Sequence, residues 1–311
     1  MDELVGGIRR VTLPLPTRPG HVHAYLLPGD DGWTLVDTGL GLPDARERWQ
    51  AELEALPGRV ARIVVTHFHP DHVGAARDLA ELTGAPVAQG RLDYEQCAQV
   101  WASDDWADVL LDWFHLHGVP DTVTSELIEQ GAVYRPFIRF QPDPAPLDAG
   151  SLVDGWQVVA APGHADGQLM LMRDGVLIAA DHLLDRISPT VGLWPRSRPD
   201  PLGDYLGALA ATIALEPTIA LGGHGEPIAD PAGRARELVA HHAGRLAATA
   251  AALDGEPRSA YRVSYPLFGD DLKPSARRFA VAETLSHLER LVLEGGARRH
   301  EDVDGVAYTA G

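Results

Sequence analysis

Residues 62–72 have the sequence Arg-Ile-Val-Val-Thr-His-Phe-His-Pro-Asp-His, which contains the strongest indication of the fold in the chain. The apolar, β-branched first half, Arg62–Thr66, predicts a buried strand. The second half supplies four potential metal-binding side chains: His67, His69, Asp71 and His72. Because residues i and i+2 of extended backbone face the same way, His67 and His69 can reach one ion together. Asp71 and His72 follow where the chain turns into a predicted helix, and they can point to a second ion.

Three further predicted strands end in residues of the same kind. Trp156–Pro162 runs into His164, Val176–Ala180 into Asp181, and Thr218–Leu221 into His224. In open α/β sheets, ligand sites gather at the carboxyl ends of strands, so we expect these side chains to meet. A carboxylate such as Asp181 can bridge two cations. Imidazole and carboxylate ligands suit zinc, and also manganese or iron.

Strands and helices alternate through the first 230 residues, which predicts an α/β catalytic domain. The expected strands before the motif are Ile8–Leu15, Val22–Leu27 and Trp33–Val36, with helices at Pro43–Leu56 and from about His72 to Leu82. Helical periodicity over about 93–132 predicts an insertion. Residues 231–311 are expected to form a second domain: helices after Pro231 and at Ala276–Glu294, then a hairpin of Arg298–Glu301 and Val306–Thr309 around Asp304-Gly305. Helices followed by two strands suggest a winged-helix-like unit.

Charge and cysteine content narrow the function further. The chain of 311 residues has a net charge of −18, and residues 231–311 are neutral overall, so the whole excess lies in residues 1–230. An acidic body repels polyanions, which favours a small-molecule substrate over a long nucleic acid. A single cysteine, Cys97, excludes an internal disulfide framework. With an acidic N-terminus and no apolar run of about 20 residues, we expect a cytoplasmic protein without a membrane segment.

The motif at Thr66–His72 resembles the HxHxDH signature of the metallo-β-lactamase superfamily, and His164, Asp181 and His224 follow in that family's order. The resemblance covers residues 8–230. It implies a four-layer αβ/βα sandwich with a helical insertion and a small C-terminal domain. It also implies two divalent metal ions, zinc first, with the ligands divided between them: His67, His69 and His164 on one, Asp71, His72 and His224 on the other, and Asp181 bridging.

The resemblance further implies hydrolysis by a metal-activated bridging hydroxide. Asp71 would orient the hydroxide and carry a proton to the leaving group. Val36-Asp37-Thr38-Gly39 resembles the family's upstream "DTG", so Asp37 is expected to hold a ligand or loop, with a turn cap as the alternative. Asp181, with no cysteine ligand, resembles the glyoxalase-II-like branch, which acts on thioesters, lactones and esters. Lys273 is the only lysine, which disfavours a glutathione thioester as the substrate.

Two other functions compete with a small-molecule hydrolase. The segment from Thr284 to Tyr308 resembles the winged helix of lactamase-like endoribonucleases that cleave single-stranded RNA, and four arginines could contact phosphates: Arg277, Arg278, Arg298 and Arg299. The neutral charge of residues 231–311, beside the −18 of the rest of the chain, favours instead packing on the catalytic domain or a homodimer contact. The third function is that of an iron-dependent persulfide dioxygenase, which needs fewer protein ligands than this chain offers.

Aromatic and polar residues near the expected metal site are candidates for the substrate pocket. In the insertion these are Trp101, Trp106 and Trp113, together with Phe114, although they could equally form the insertion's own core. In the segment after Asp181 the candidates are Arg186, Ser188 and Trp194; a structural ion pair is the alternative for Arg186. His21 and His23 match no ligand position and are interpreted as structural.

Overall fold

The computed structural model describes residues 1–303 and 305–311, and within them the strands form two stacked sheets and a separate hairpin. The first sheet has the order β1-β2-β3-β4-β5-β6-β7. Its strands are β1 (Asp2–Glu3), β2 (Arg9–Pro14), β3 (His21–Gly29), β4 (Gly32–Val36), β5 (Val60–Val65), β6 (Val87–Gln89) and β7 (Ala145–Pro146). The second has the order β12-β11-β10-β9-β8. Its strands are β8 (Leu152–Val153), β9 (Trp156–Ala160), β10 (Leu169–Arg173), β11 (Val176–Ala180) and β12 (Ile219–Gly222), and the hairpin consists of β13 (Ala297–Asp302) and β14 (Gly305–Ala310).

Helices cover the outer faces of both sheets and fill the insertion and the C-terminal segment. They are α1 (Ala45–Glu54), α2 (Pro70–Val73), α3 (Ala76–Thr83), α4 (Arg91–Gln96), α5 (Trp106–Leu116), α6 (Asp121–Ala132), α7 (Pro201–Leu215), α8 (Pro231–Ala251), α9 (Ala260–Phe268) and α10 (Pro274–Leu293). In the described part of the chain, none of these helices has the length and apolar character needed to cross a membrane.

Side-chain alternation along the strands produces the four layers. In β4, Leu35 packs outward with Trp49 of α1 and Leu79 of α3, whereas its neighbour Val36 packs inward against the second sheet. In β10, Leu169 faces inward and Met170 faces α7 and α8. Successive residues of a strand face opposite sides of the sheet, so each strand contributes to two cores. The expected αβ/βα sandwich is confirmed.

Strand pairing brings the functional strand ends to one edge of the sandwich. β4 and β5 run parallel with Val36 opposite Val64, so Asp37 comes next to Thr66. β11 and β12 run parallel with Ala180 opposite Gly222, which places the residues that follow them side by side. The bounds of β11 agree with the prediction from the apolar run.

The predicted helix from His72 to Leu82 is in fact two helices. Pro70 begins α2 at a position where its missing N–H costs nothing, and α3 starts only at Ala76. Between them Gly74 is packed so closely that a Cβ on it would lie 2.4 Å from the Pro70 carbonyl oxygen. The prediction also missed β6, β7, β8 and the short helix α9.

The C-terminal segment is packed against the rest of the chain. Ala235 and Leu238 of α8 belong to the core under the second sheet. The insertion helices share a further core with α10 and the hairpin, to which Phe114, Leu285 and Tyr308 contribute. The division into domains at Pro231 and the winged-helix resemblance stay predictions. Of the predicted turn at Asp304-Gly305, Asp304 lies outside the described residues.

Candidate metal centre

All seven side chains predicted as ligands lie together at this sheet edge. His67 and His69 follow β5, Asp71 and His72 belong to α2, and the others follow β9, β11 and β12. Their nitrogen and oxygen atoms form three groups, each with its atoms within 4.8 Å of one another: His67/His69/His164, His67/His72/Asp181 and Asp71/His72/His224.

Asp181 lies between the two predicted halves of the site. Its Oδ2 is 3.5 Å from Nε2 of His164 and 3.4 Å from Nε2 of His224, and its Oδ1 is 3.4 Å from Nε2 of His72. Within the first half, Nδ1 of His69 lies 2.8 Å from Nε2 of His164. The carboxylate therefore contacts imidazoles from both sides, as a bridging group would.

Hydrogen bonds outside the site set which ring nitrogen of each histidine faces inward. Nδ1 of His164 is 2.7 Å from the Thr190 carbonyl oxygen, and Nδ1 of His224 is 2.7 Å from that of His21. Nδ1 of His72 is 2.8 Å from Oδ2 of Asp37. Carbonyl and carboxylate oxygens only accept, so each Nδ1 donates and each Nε2 faces into the site as the atom available to a metal.

Asp37 organises the base of the site. Besides accepting from His72, its carboxylate accepts from the backbone N–H of Thr66 and from its hydroxyl, both at 2.8 Å. Because the Thr66 proton goes to Asp37, the hydroxyl oxygen is free to accept from Nδ1 of His67 at 3.0 Å. One buried carboxylate thus orients two of the candidate ligands, a larger role than a turn cap.

The residues present fit divalent metals. Nε2 of His67, Nε2 of His72 and Oδ1 of Asp181 are buried and have no hydrogen-bond partner among the described residues. Leaving such atoms without a partner is costly. The inward-facing nitrogens of His69 and His164 lie at a hydrogen-bonding distance, which two lone pairs tolerate only with a proton or cation between them. Three imidazoles on one side and mixed imidazole and carboxylate donors on the other suit zinc, manganese or iron.

The two halves of the site differ electrostatically. Burial lowers the pKa of His69 to about 3 and that of His67 well below its usual value, with neighbouring histidines adding to the effect, so both rings are neutral as metal ligands must be. Burial also opposes protonation of His72 and His224, but nearby carboxylates, Asp181 foremost, outweigh it. They hold the pKa of His72 well above its usual value and raise that of His224 to about 10.

Sequence reasoning missed three residues that support the site. Buried Asp93 accepts a hydrogen bond at 2.9 Å from the N–H of Phe68, between two candidate ligands. Arg234 of α8 donates to the carbonyls of Leu184 and Ile187 at 2.8 and 3.0 Å and so anchors the segment after Asp181. His21, interpreted only as structural, holds His224 through its carbonyl group. Such contacts leave no pattern in a sequence.

The candidate pocket residues lie in different surroundings. The Trp101 indole donates to the Phe68 carbonyl at 2.8 Å, next to the metal centre. Trp106 lies under the Arg135 guanidinium, 4.9 Å from its ring centroid. Trp113 is 8% exposed and belongs to the core shared by the insertion and the C-terminal segment, which favours a structural role.

The candidate pocket residues after Asp181 also differ in burial and contacts. The Trp194 ring stacks on that of Trp113 with a centroid distance of 5.6 Å. The Arg186 side chain is 86% exposed and lies 3.5 Å from the Asp185 carboxylate. Ser188 is partly buried.

The four arginines that could contact phosphates differ in burial and in their partners within the protein. Arg277 is buried, donates to the Ser264 hydroxyl at 3.0 Å and lies 3.9 Å from the Tyr265 ring centroid. Arg299 pairs with Glu289 at 3.2 Å and with Glu301 at 2.6 Å. Arg278 is partly buried among aromatic rings, and Arg298 is exposed. These side chains therefore do not form one basic surface.

Comparison with known proteins gives concordant results. The family model described as Metallo-beta-lactamase superfamily matches residues 17–224, and the one described as Metallo-beta-lactamase-like, C-terminal domain matches residues 246–308. The chain is 28% identical over 301 residues to the probable metallo-hydrolase YqjP of Bacillus subtilis, covering 91% of this chain and 92% of that protein.

Two solved structures match over nearly the whole chain. The metallo-beta-lactamase family protein TTHA1429 from Thermus thermophilus is 36% identical, with a TM-score of 0.86 and 99% of both chains covered. A beta-lactamase domain protein from Burkholderia ambifaria is 29% identical, with a TM-score of 0.88, covering 100% of this chain and 94% of that one. With the site geometry and these matches together, the chain belongs to the metallo-beta-lactamase superfamily.

Proposed function

We propose that this protein is a dinuclear metal-dependent hydrolase of a small ester, lactone or thioester. The observation that carries the proposal is the position of Asp181, whose two oxygens lie within 3.5 Å of imidazole nitrogens on both sides of the site. A single-metal site would not need a carboxylate there. The seven side chains suit two ions that share a bridging ligand and leave room for water and substrate.

The residues divide as follows. His67, His69 and His164 would hold one ion, Asp71, His72 and His224 the other, and Asp181 both. When bound, two divalent ions supply a water of lowered pKa and polarise the carbonyl that is attacked. The hydrogen bonds from Nδ1 atoms to Asp37, Thr190 and His21 orient the rings so that the Nε2 atoms face the place the ions would occupy.

Asp71 is the best candidate for moving a proton. Its side chain is 22% exposed, against 9% for Asp181, so it is the more accessible of the two carboxylates in the site. Its Oδ2 lies 3.3 Å from Nε2 of His224, which keeps it at the centre of the chemistry. A carboxylate in this position can orient a water molecule and pass its proton to the leaving group.

The surroundings favour a small substrate over RNA. The acidic excess lies entirely in residues 1–230, the part of the chain that contains all seven candidate ligands, and repels a polyanion at long range. Of the arginines offered for phosphate contacts, Arg277 and Arg299 already have partners within the protein. The number of candidate ligands likewise favours two ions over the single iron of a dioxygenase.

The test is hydrolysis of a panel of esters, lactones, thioesters and short RNA by the metal-free protein and by zinc-, manganese- and iron-loaded forms. We expect turnover of a small acyl substrate only in a loaded form, and its loss in Asp71→Asn. Asp174→Asn, which changes a carboxylate that is 93% exposed on the surface, is the matched control and should leave turnover intact. Equal rates with and without metal would contradict the proposal, and so would turnover of RNA alone.

A further inference from the structure

Arg278 of α10 is partly buried, with aromatic rings close to its guanidinium. Its Nε is buried and has no hydrogen-bond partner, and no carboxylate lies within ion-pair distance of it in residues 1–303 and 305–311. Arg277 beside it also lacks a carboxylate but donates to the Ser264 hydroxyl, whereas Nε of Arg278 has no hydrogen-bond partner among the described residues. Removing a charge from water is costly unless it is paired, so a guanidinium in this position is expected to serve a function.

Aromatic rings surround this guanidinium. It lies 5.7 Å from the ring centroid of Trp194 and 4.8 Å from that of Phe279. On the opposite side is Gly131, in the last turn of α6, where a Cβ would lie 2.4 Å from Nη1 of Arg278 and 2.8 Å from the Trp106 ring. Glycine is unfavourable inside a helix, and here it is what permits the guanidinium and the indole to approach.

One segment of the chain and one chain of contacts lead from the metal centre to this place. Trp194 is four residues after Thr190, whose carbonyl accepts from Nδ1 of His164. On the other side, Trp106 lies under Arg135, which donates at 3.1 Å to the Trp101 carbonyl. Trp101 in turn donates to the carbonyl of Phe68, the residue between two candidate ligands. The segment that contacts His164 and the chain of contacts from Phe68 through Trp101 and Arg135 to Trp106 therefore both end beside Arg278.

We propose that Arg278, between Trp106 and Trp194, binds an anionic group of the substrate, so that the enzyme acts on an ester, lactone or thioester that also carries a carboxylate. This rests on the proposed hydrolase function. A guanidinium can bind a carboxylate through two parallel hydrogen bonds, and the indole rings would contact the acyl chain. The acidic body of the protein makes a dedicated cation necessary for an anionic substrate. Burial lowers the pKa of Arg278 to about 10, so it remains charged at neutral pH.

The kinetic test uses p-nitrophenyl half esters of linear dicarboxylic acids, from succinate to suberate, beside the neutral monocarboxylic esters of equal length. We expect one anionic chain length to be preferred, and Arg278→Gln to lower kcat/KM for it roughly 10- to 100-fold while changing the neutral ester less than about twofold. Arg262→Gln removes the same charge from an exposed residue of α9 and is the control, with no effect on either ester. An equal loss for both esters, or no preference in the wild-type protein, would overturn the proposal.

A binding measurement separates this proposal from the hydrolase itself. Titration calorimetry of the metal-loaded protein with glutarate should show binding that is weakened in Arg278→Gln and in Gly131→Ala, whose methyl group displaces the guanidinium; circular dichroism checks that both fold. Arg278-dependent binding of glutarate without hydrolysis of any ester would support the anion site and contradict the hydrolase. Hydrolysis without charge preference, with glutarate binding unaltered in both variants, would overturn the anion site alone and assign Arg278 to packing on Trp194 and Phe279.

Discussion

Gly223 lies between the end of β12 and His224, next to the candidate metal centre. A Cβ on this residue would lie 2.4 Å from Oδ1 of Asp181 and 2.7 Å from Cε1 of His72. Ordinary contacts begin at 3.4 Å, so in Gly223→Ala the carboxylate or the backbone must move by about 1 Å. The displaced groups are the proposed bridging ligand and a proposed imidazole ligand of the second ion, so we expect the change to act directly on metal binding.

The size of the effect follows from that displacement. A misplacement of about 1 Å in a catalytic constellation costs roughly 100-fold in rate, which corresponds to about 2.7 kcal/mol. A disturbed ligand environment also lowers metal affinity by about 10- to 100-fold. We therefore expect Gly223→Ala to lose zinc to a competing chelator at lower chelator concentration than the wild type. We expect its kcat/KM for the best ester to fall about 100-fold even at saturating zinc.

Two other glycines provide matched controls. Gly207 in α7 and Gly244 in α8 have nothing within 4 Å of a built Cβ. Alanine at either place should leave metal affinity and rate unchanged and raise the free energy of unfolding by about 0.5–1 kcal/mol, because alanine is the better helix former. If Gly223→Ala keeps wild-type zinc affinity and rate, the arrangement of Asp181 and His72 described above is wrong.

Three further outcomes are expected. Asp37→Asn should weaken zinc binding roughly 10- to 100-fold in calorimetry, because an amide NH₂ facing Nδ1 of His72 can no longer accept the hydrogen bond that turns Nε2 towards the metal. An unchanged zinc affinity would contradict this role of Asp37. Burial raises the pKa of Glu283 to about 7 from 4.5, so its contribution to stability is full below pH 4.5 and is lost as the pH rises through 7. Glu283→Gln should therefore raise Tm at pH 8 and not at pH 4.5, and equal shifts at both would refute this. Nearby carboxylates, Asp181 foremost, raise the pKa of His224 to about 10 in the metal-free protein, so its protonated form stabilises the fold fully below pH 6.5 and this contribution is lost as the pH rises through 10. Zinc must displace this proton, so zinc affinity should rise from pH 6 to 9. Zinc binding that does not change with pH would contradict this expectation.

The strands that carry the candidate ligands could be predicted because their physical signal is strong. Arg62–Thr66 and Val176–Ala180 are continuous apolar runs, as expected for strands buried on both faces, and each stops where a polar, metal-binding residue begins. The i, i+2 spacing of His67 and His69 and the position of every candidate ligand at the end of a predicted strand then predict that the side chains meet. The division of the ligands between two ions came from the family resemblance.

The rest of the site depends on contacts that have no local pattern. Asp93 acts on a backbone N–H 25 residues away, and Arg234 acts on a carbonyl 50 residues away. The strands β6, β7 and β8 have only two or three residues each, too few for an alternation to be visible. The apolar face around Trp113 was evident from its helical spacing. Whether this apolar face contacts a substrate or another helix depends on where α10 packs, and the sequence has no local pattern for that.

The most direct test of the account is the metal content of the purified protein, measured by inductively coupled plasma mass spectrometry after reconstitution and removal of free metal. We predict close to two divalent ions per chain for the wild type, and a clear fall for Asp181→Ala, with loss of ester turnover in step. One ion or none per chain in the wild type, or an Asp181→Ala protein that keeps both ions and full activity, would contradict the dinuclear site.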